Sequence, residues 1–192
     1  MKTIIVYYSH SANNESLARE LKQRFGCDIV KIEEQKRRTS FTILLDLIFR
    51  RDAKIQKPDV FLSDYNTVIF ISPIWDAKIA TPLKSYIKME KNNINNYAFI
   101  TVCSGREGQR KMITDQLTQL IGKEPIIVTE LVINDLLPAE QKNKIKYTTP
   151  YRIKKPDLQV FKKDIQQFVN TVFENALELK DIKSSIEAET FI

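Results

Sequence analysis

Residues 3–25, TIIVYYSHSANNESLARELKQRF, decide the fold, and they change period in the middle. Thr3–Tyr8 is a nearly continuous apolar run rich in β-branched and aromatic residues, the pattern of a strand buried on both faces. From Glu15 onward, Leu17, Ala18, Leu21 and Phe25 recur at helical spacing. Between the two lie Ser9, His10, Ser11, Ala12, Asn13 and Asn14, small or polar residues with no hydrophobic anchor. A strand that feeds a helix through such a turn opens an α/β sandwich. The first N–H groups of a helix have no intrahelical partner, so this turn offers a seat for a phosphate. The alternative is an ordinary capped helix, with Asn13 or Asn14 as the cap.

The rest of the chain repeats the theme. Cys27–Ile32 reads as a short second strand. Phe41, Leu44, Leu45, Leu47 and Ile48 have helical spacing, with Arg50, Arg51 and Lys54 at the far end and Pro58 closing the segment. Tyr65–Ser72 and Tyr97–Cys103 read as central strands, and Ile126–Ile133 as the last. Thr81 and Pro82 read as the cap and first turn of a helix running through Ile87. Gln109–Ile121 is a further helix, with Met112, Ile113, Leu117 and Leu120 on its apolar face. Five βα units with short crossovers predict an open parallel sheet with helices on both faces. Residues 134–156 carry Lys142, Lys144, Lys146, Lys154, Lys155, Tyr147 and Tyr151. They predict a long polar excursion, either a lid or partner surface or a solvated loop with two packing tyrosines. A final helix is expected from about residue 156 to 179, with Val160, Phe161, Ile165, Phe168, Val169, Val172 and Phe173 on its apolar face. Residues 181–192 follow as a tail expected to fray, so that 1–180 forms one domain.

At 192 residues the chain suits a single domain, and its formal charge of +6 can attract anionic cofactors, acidic proteins or nucleic acid. The basic runs at 36–38, 50–54 and 142–155 are not interleaved with aromatics and fit no reading motif, so nucleic acid is not an expected partner. No apolar run is long enough for a membrane span. The start, MKTIIVYYS, lacks a small-x-small cleavage pattern and reads as the first strand of a cytoplasmic protein. The two cysteines, Cys27 and Cys103, make no disulfide framework and read as buried thiols. With one histidine and no CxxC or HExxH, no metal site is expected.

Three loops leave the central strands at the carboxyl end of the sheet, where open α/β proteins hold ligands. Residues 9–14 offer hydroxyls, amides and backbone N–H groups. Residues 73–80 offer Trp75 beside Asp76. Residues 104–108, Ser104-Gly105-Arg106-Glu107-Gly108, contain two of the chain's four glycines and let a ligand approach the backbone. A phosphorylated, planar heteroaromatic cofactor such as FMN suits this set. The absence of GxGxxG and of GxxxxGK[ST] weighs against dinucleotides and nucleoside triphosphates.

Residues 3–18 (TIIVYYSHSANNESLA) and 68–83 (VIFISPIWDAKIATPL) resemble the flavodoxin family, and the order of elements matches over residues 1–133 and the last helix. The resemblance implies a flavodoxin-like three-layer α/β sandwich, a five-stranded parallel sheet in the order 2-1-3-4-5, and FMN bound without a covalent link. Against the family's phosphate loop, [ST]-x-[ST]-G-x-[TS], Ser9 and Ser11 match, Ala12 replaces the glycine and Asn14 the last hydroxyl residue. Alanine fits there if its backbone stays at negative φ, and Asn14 can donate through its side-chain amide. The resemblance implies cofactor contacts from Ser9, His10, Ser11, Ala12, Asn13, Asn14, Pro73, Ile74, Trp75, Asp76, Ser104, Gly105, Arg106 and Gly108, with Trp75 on the ring and no catalytic side chain. Arg106 either neutralises charge on the reduced flavin or faces water; Asp76 either binds ribityl hydroxyls or caps the next turn. The implied function is electron transfer or NAD(P)H-dependent flavin oxidoreduction, with NAD(P)H or a redox protein as partner. The basic charge favours a reductase over an acidic electron shuttle. The alternative, suggested by Ala12 and Asn14, is a cofactor-free flavodoxin-like binding or regulatory module. Monomer and homodimer stay open.

Overall fold

Alternation within the apolar runs is what builds the layers. A computed structural model describes residues 2–35 and 52–190, the last twelve of these by the course of the helix alone. The helix expected around Phe41–Ile48 lies outside the described residues. In chain order the elements are β1 (Thr3–Tyr7), α1 (Asn13–Phe25), β2 (Asp28–Lys31), β3 (Glu33–Glu34), β4 (Ile55–Gln56), β5 (Thr67–Ile71), β6 (Ile74–Trp75), β7 (Lys78–Ile79), α2 (Thr81–Glu90), β8 (Asn96–Cys103), α3 (Gln109–Ile121), β9 (Val128–Val132), α4 (Ile145–Thr148), α5 (Lys155–Val160) and α6 (Lys162–Thr190).

The main sheet has five strands in the order β2-β1-β5-β8-β9, every pair parallel, which is the expected 2-1-3-4-5 arrangement. Register aligns Ile5 with Ile69 and Ile69 with Ala98, and this row faces Leu17, Leu21, Ile165 and Phe168 of α1 and α6. One residue on, Val6, Phe70 and Phe99 form a row on the opposite face, against Leu83, Ile87, Ile113 and Leu117 of α2 and α3. Both faces are covered, so the strands read as unbroken apolar runs. Each Val, Leu, Ile or Phe side chain among these contributes roughly 1.5–3 kcal/mol on full burial.

Several boundaries and faces differ from expectation. Residues 73–80 are a β-hairpin, with β6 and β7 antiparallel and Asp76 (φ 48°) and Ala77 (φ 55°) in the turn. Positive φ at both central residues is the twist that two-residue hairpins require. Thr81, expected as a cap, is the first helical residue after Ala80. Met112 lies off the apolar face of α3 and is exposed, whereas Ile113 and Leu117 are buried. The final helix is interrupted at Phe161, which gives α5 and α6; Phe161 is buried, but Val160 and Phe173 are exposed. The course of α6 continues to Thr190. Cys103 is buried, but Cys27 is only half-buried.

Residues 134–156 form short turns and α4, secured by buried Leu137, Thr148 and Ile153, with Tyr147 and Tyr151 packed against the α1–α6 side of the core. Among the described residues, no helix is long and apolar enough to cross a membrane.

Candidate functional site

The loops after β1, β5 and β8 meet at the carboxyl end of the sheet. The Trp75 ring, at the tip of β6, stands edge-on to Tyr8 at 5.9 Å and to His10 at 6.2 Å between centroids. Edge-to-face pairs at this separation are attractive, so the hairpin and the first loop support each other. On its other side the hairpin reaches the third loop, where Arg106 Nη1 lies 3.5 Å from Asp76 Oδ1. Both groups are well exposed, so this ion pair contributes little to stability. It nevertheless answers where the two side chains sit: they face each other across the rim, and Asp76 caps no helix. The hairpin is also held from α3. Gln116 Nε2 donates to the Ala77 carbonyl at 2.9 Å, and the Ile79 N–H donates to Gln116 Oε1 at 3.3 Å. The Ala80 N–H donates to the Pro73 carbonyl at 3.1 Å. The carbonyls of Pro73 and Ala77 are therefore engaged inside the protein.

The first loop corrects the expectation for Ala12, whose φ is 68°, in the left-handed region, and not negative. The chain must turn sharply there so that the Ala12 carbonyl can accept the first intrahelical bond, from the Ser16 N–H at 2.9 Å. Alanine thus occupies glycine's conformation at the position where the family motif has glycine, a strain of about 1–2 kcal/mol. Ala12→Gly is expected to stabilise the fold by about 1 kcal/mol, part of the relief being offset by glycine's unfolded-state entropy; a thermal melt measures it. No side chain caps α1, so neither Asn13 nor Asn14 plays that part.

Both asparagines have other tasks. Asn14, 2% exposed, donates from Nδ2 to the Val102 carbonyl at 3.2 Å and accepts the Val102 N–H on Oδ1 at 2.9 Å. Asn13, 6% exposed, donates to the Tyr151 carbonyl at 3.0 Å and accepts from the Ile153 N–H at 3.0 Å. The side-chain amides expected to face a ligand are thus spent on the end of β8 and on the excursion, and only their backbone N–H groups remain for a ligand. Sequence reasoning missed Val102, Tyr151 and Ile153 as parts of this corner; the polar character of both adjacent asparagines before a helix was the one available signal. Ser9 Oγ, by contrast, is a buried hydroxyl without a hydrogen-bond partner. A buried polar atom in that condition calls for an explanation, and a ligand oxygen would supply its partner.

In the third loop, Gly105 has φ 84°, and a Cβ there would stand 2.3 Å from Val132 Cγ1. Asn134 Nδ2 donates to the Ser104 carbonyl at 2.8 Å and to Asn143 Oδ1 at 3.0 Å, which ties this loop to the excursion. Between loop and excursion lies a cavity of about 380 Å³ lined by Ser104, Arg106, Asn143, Ile145 and Thr149 among others. A second cavity, of about 490 Å³, flanks the first loop and is lined by Ser9, His10, Ala12, Glu15, Lys31 and Glu34 among others. Beneath the third loop, Gln109 Nε2 donates to Cys103 Sγ at 3.3 Å and also to the Glu130 carboxylate. Burial, aided by the Glu130 charge, pushes the Cys103 thiol up to about 12, so it stays protonated and is no nucleophile.

The structure is similar to a flavoprotein solved in complex with FMN from Lactobacillus acidophilus NCFM, with TM-score 0.60 and 22% identity, over 67% of this chain and 92% of that one. It is similar also to a putative flavoprotein from Bacteroides eggerthii (TM-score 0.58, 13% identity, 69% and 87% covered). A flavodoxin, WrbA-like protein from Agrobacterium tumefaciens matches with TM-score 0.50 and 12% identity, over 90% and 98%. No protein-family model and no curated protein matches the chain. Identities this low carry the fold and nothing more, and that fold is the flavodoxin-like α/β sandwich.

Proposed function

We propose that the protein binds FMN across the loops 9–14, 73–80 and 104–108 and works as a flavin-dependent redox protein. The observation that carries this reading is the meeting of the first loop with Trp75, 6.2 Å from His10, at the carboxyl end of the sheet. Bound FMN supplies reversible one- and two-electron chemistry. The chain's residues hold and shield it. Ser9 Oγ and the N–H groups at the start of α1 take the phosphate. Trp75 offers apolar surface to the ring and keeps water from it. Backbone groups of Ser104, Gly105 and Gly108 border the ring's polar edge. The proposed reductant is anionic, NAD(P)H or an acidic protein carrier, in keeping with the net charge of +6.

The test is a visible absorption spectrum of the purified protein, before and after incubation with FMN and gel filtration, followed by addition of NADH or NADPH. A retained flavin band that bleaches on reduction supports the reading. A colourless protein after incubation removes it and leaves the cofactor-free binding module. In a fluorescence titration, Trp75→Ala is expected to weaken FMN about tenfold, because a large flat contact is lost while the phosphate contacts stay.

A further inference from the structure

The first loop contains no lysine or arginine, although a phosphate ester carries up to two negative charges. Its flank toward β2 makes this worse. The cavity there is lined by Glu15, Glu33 and Glu34, and its lysine, Lys31, is itself 3.8 Å from Glu33. The opposite flank is the excursion, and Asn13 grips it on both sides of a single residue, Arg152, through the Tyr151 carbonyl and the Ile153 N–H. Arg152 is not free to wander. Its Nη1 donates to the Thr149 carbonyl at 3.1 Å and to the Tyr151 carbonyl at 3.0 Å. The Tyr151 oxygen also accepts from Asn13 Nδ2 at 3.0 Å, so guanidinium and Asn13 amide are no more than about 6 Å apart. Among the described residues no carboxylate pairs with this arginine, and its Nε and Nη2 have no partner. The start of α1 beside Asn13 is uncapped, and the same loop carries a buried, unpartnered hydroxyl, Ser9 Oγ.

From this geometry we propose that Arg152 is the cation of the phosphate-ester site, delivered by the excursion to the start of α1, and that it makes the protein select FMN over the unphosphorylated flavin. The proposal rests on the flavin reading above. The carbonyl clamp on Nη1 fixes the guanidinium in advance, leaving Nε and Nη2 for phosphate oxygens, the fork geometry that arginine presents to oxyanions. The excursion then has a binding role that its polar composition hides: Asn13 holds the segment, and the segment holds the charge.

The experiment titrates FMN and riboflavin into the wild type, Arg152→Gln and Arg152→Lys, read by flavin fluorescence, with thermal melts as the folding control. Arg152 is on the surface, so the variants are expected to fold. Arg152→Gln is expected to weaken FMN about 10- to 100-fold, to leave riboflavin within about twofold, and to flatten the salt dependence of FMN binding. Arg152→Lys restores part of the loss. Equal losses for both flavins, or unchanged FMN affinity, overturn the proposal, the first by showing a merely structural role. If the wild type binds no flavin, the flavin reading falls, and the same variants are compared by amide chemical shifts of residues 9–15 with inorganic phosphate as the probe. Saturable shifts in the wild type that Arg152→Gln loses support an anion site with Arg152 as its cation; shifts that persist unchanged, or none in the wild type, overturn it.

Discussion

Replacing Asn14 by alanine is expected to lower the stability of the fold by about 3 kcal/mol, to be read from the shift of the urea midpoint at constant slope. The reason lies in unequal strand lengths. The last β5–β8 pair is Ile71 with Ile100, but β8 runs on to Cys103. Beyond Ile100, one edge of β8 has no strand beside it among the described residues. On the other edge Val102 pairs with Leu131 of β9. Asn14 supplies what is missing, its amide taking the Val102 N–H at 2.9 Å and giving a donor to the Val102 carbonyl at 3.2 Å. Truncation leaves a donor and an acceptor without partners where Asn14 is 2% exposed, and each orphan costs roughly 1–3 kcal/mol. The exposed Asn170, bonded only to Gln166 within its helix, provides the control: its truncation is expected to change stability by less than about 0.5 kcal/mol. A loss below about 1 kcal/mol for Asn14→Ala would mean that water reaches Val102 and that the first loop is looser than its geometry states.

The same residue shows what the sequence could and could not disclose. Sheet order and layers were legible because each central strand is an unbroken apolar run and each helix has its own stripe; α3 begins and ends where periodicity places it, at Gln109 and Ile121. These signals are local. Asn14 bonds a residue 88 positions away and Asn13 one 140 away, and no local pattern distinguishes such clamps from ligand donors or helix caps. The same holds for backbone strain. Ala12, Asp76 and Ala77 all take positive φ without a glycine to announce it. A glycine or asparagine in those turns would have marked both the left-handed start of α1 and the hairpin. The excursion was hidden by composition, since its lysines outnumber the few residues, Leu137, Thr148 and Ile153, that bury it. What the sequence did place was the chemistry of three loops at one sheet end; that Trp75 and Asp76 stand on a hairpin tied to α3 by Gln116 rests on contacts 37 and 39 positions apart, beyond any local pattern.

Gly105→Ala is expected to have the second large effect, a loss of about 3–4 kcal/mol. Two costs combine. At φ 84° an alanine is strained by about 1–2 kcal/mol, and its Cβ would stand 2.3 Å from Val132 Cγ1, so strand or loop must move. Movement is resisted on both sides. Val132 is the last residue of β9, aligned with Cys103, and the Ser104 carbonyl is held by Asn134. The two costs separate in a double-mutant cycle. Val132→Ala removes both methyl groups that a Cβ at position 105 would meet, at 2.3 and 3.3 Å, and leaves the backbone angle as it is. In that background Gly105→Ala is expected to cost only the conformational part, about 1–2 kcal/mol, which gives a coupling of roughly 2 kcal/mol between the sites. Strict additivity would place the loop's strain wholly in the backbone and would mean that Val132 does not set how closely the third loop approaches the sheet. With coupling, the position of Gly105 in the rim is a packing constraint from β9.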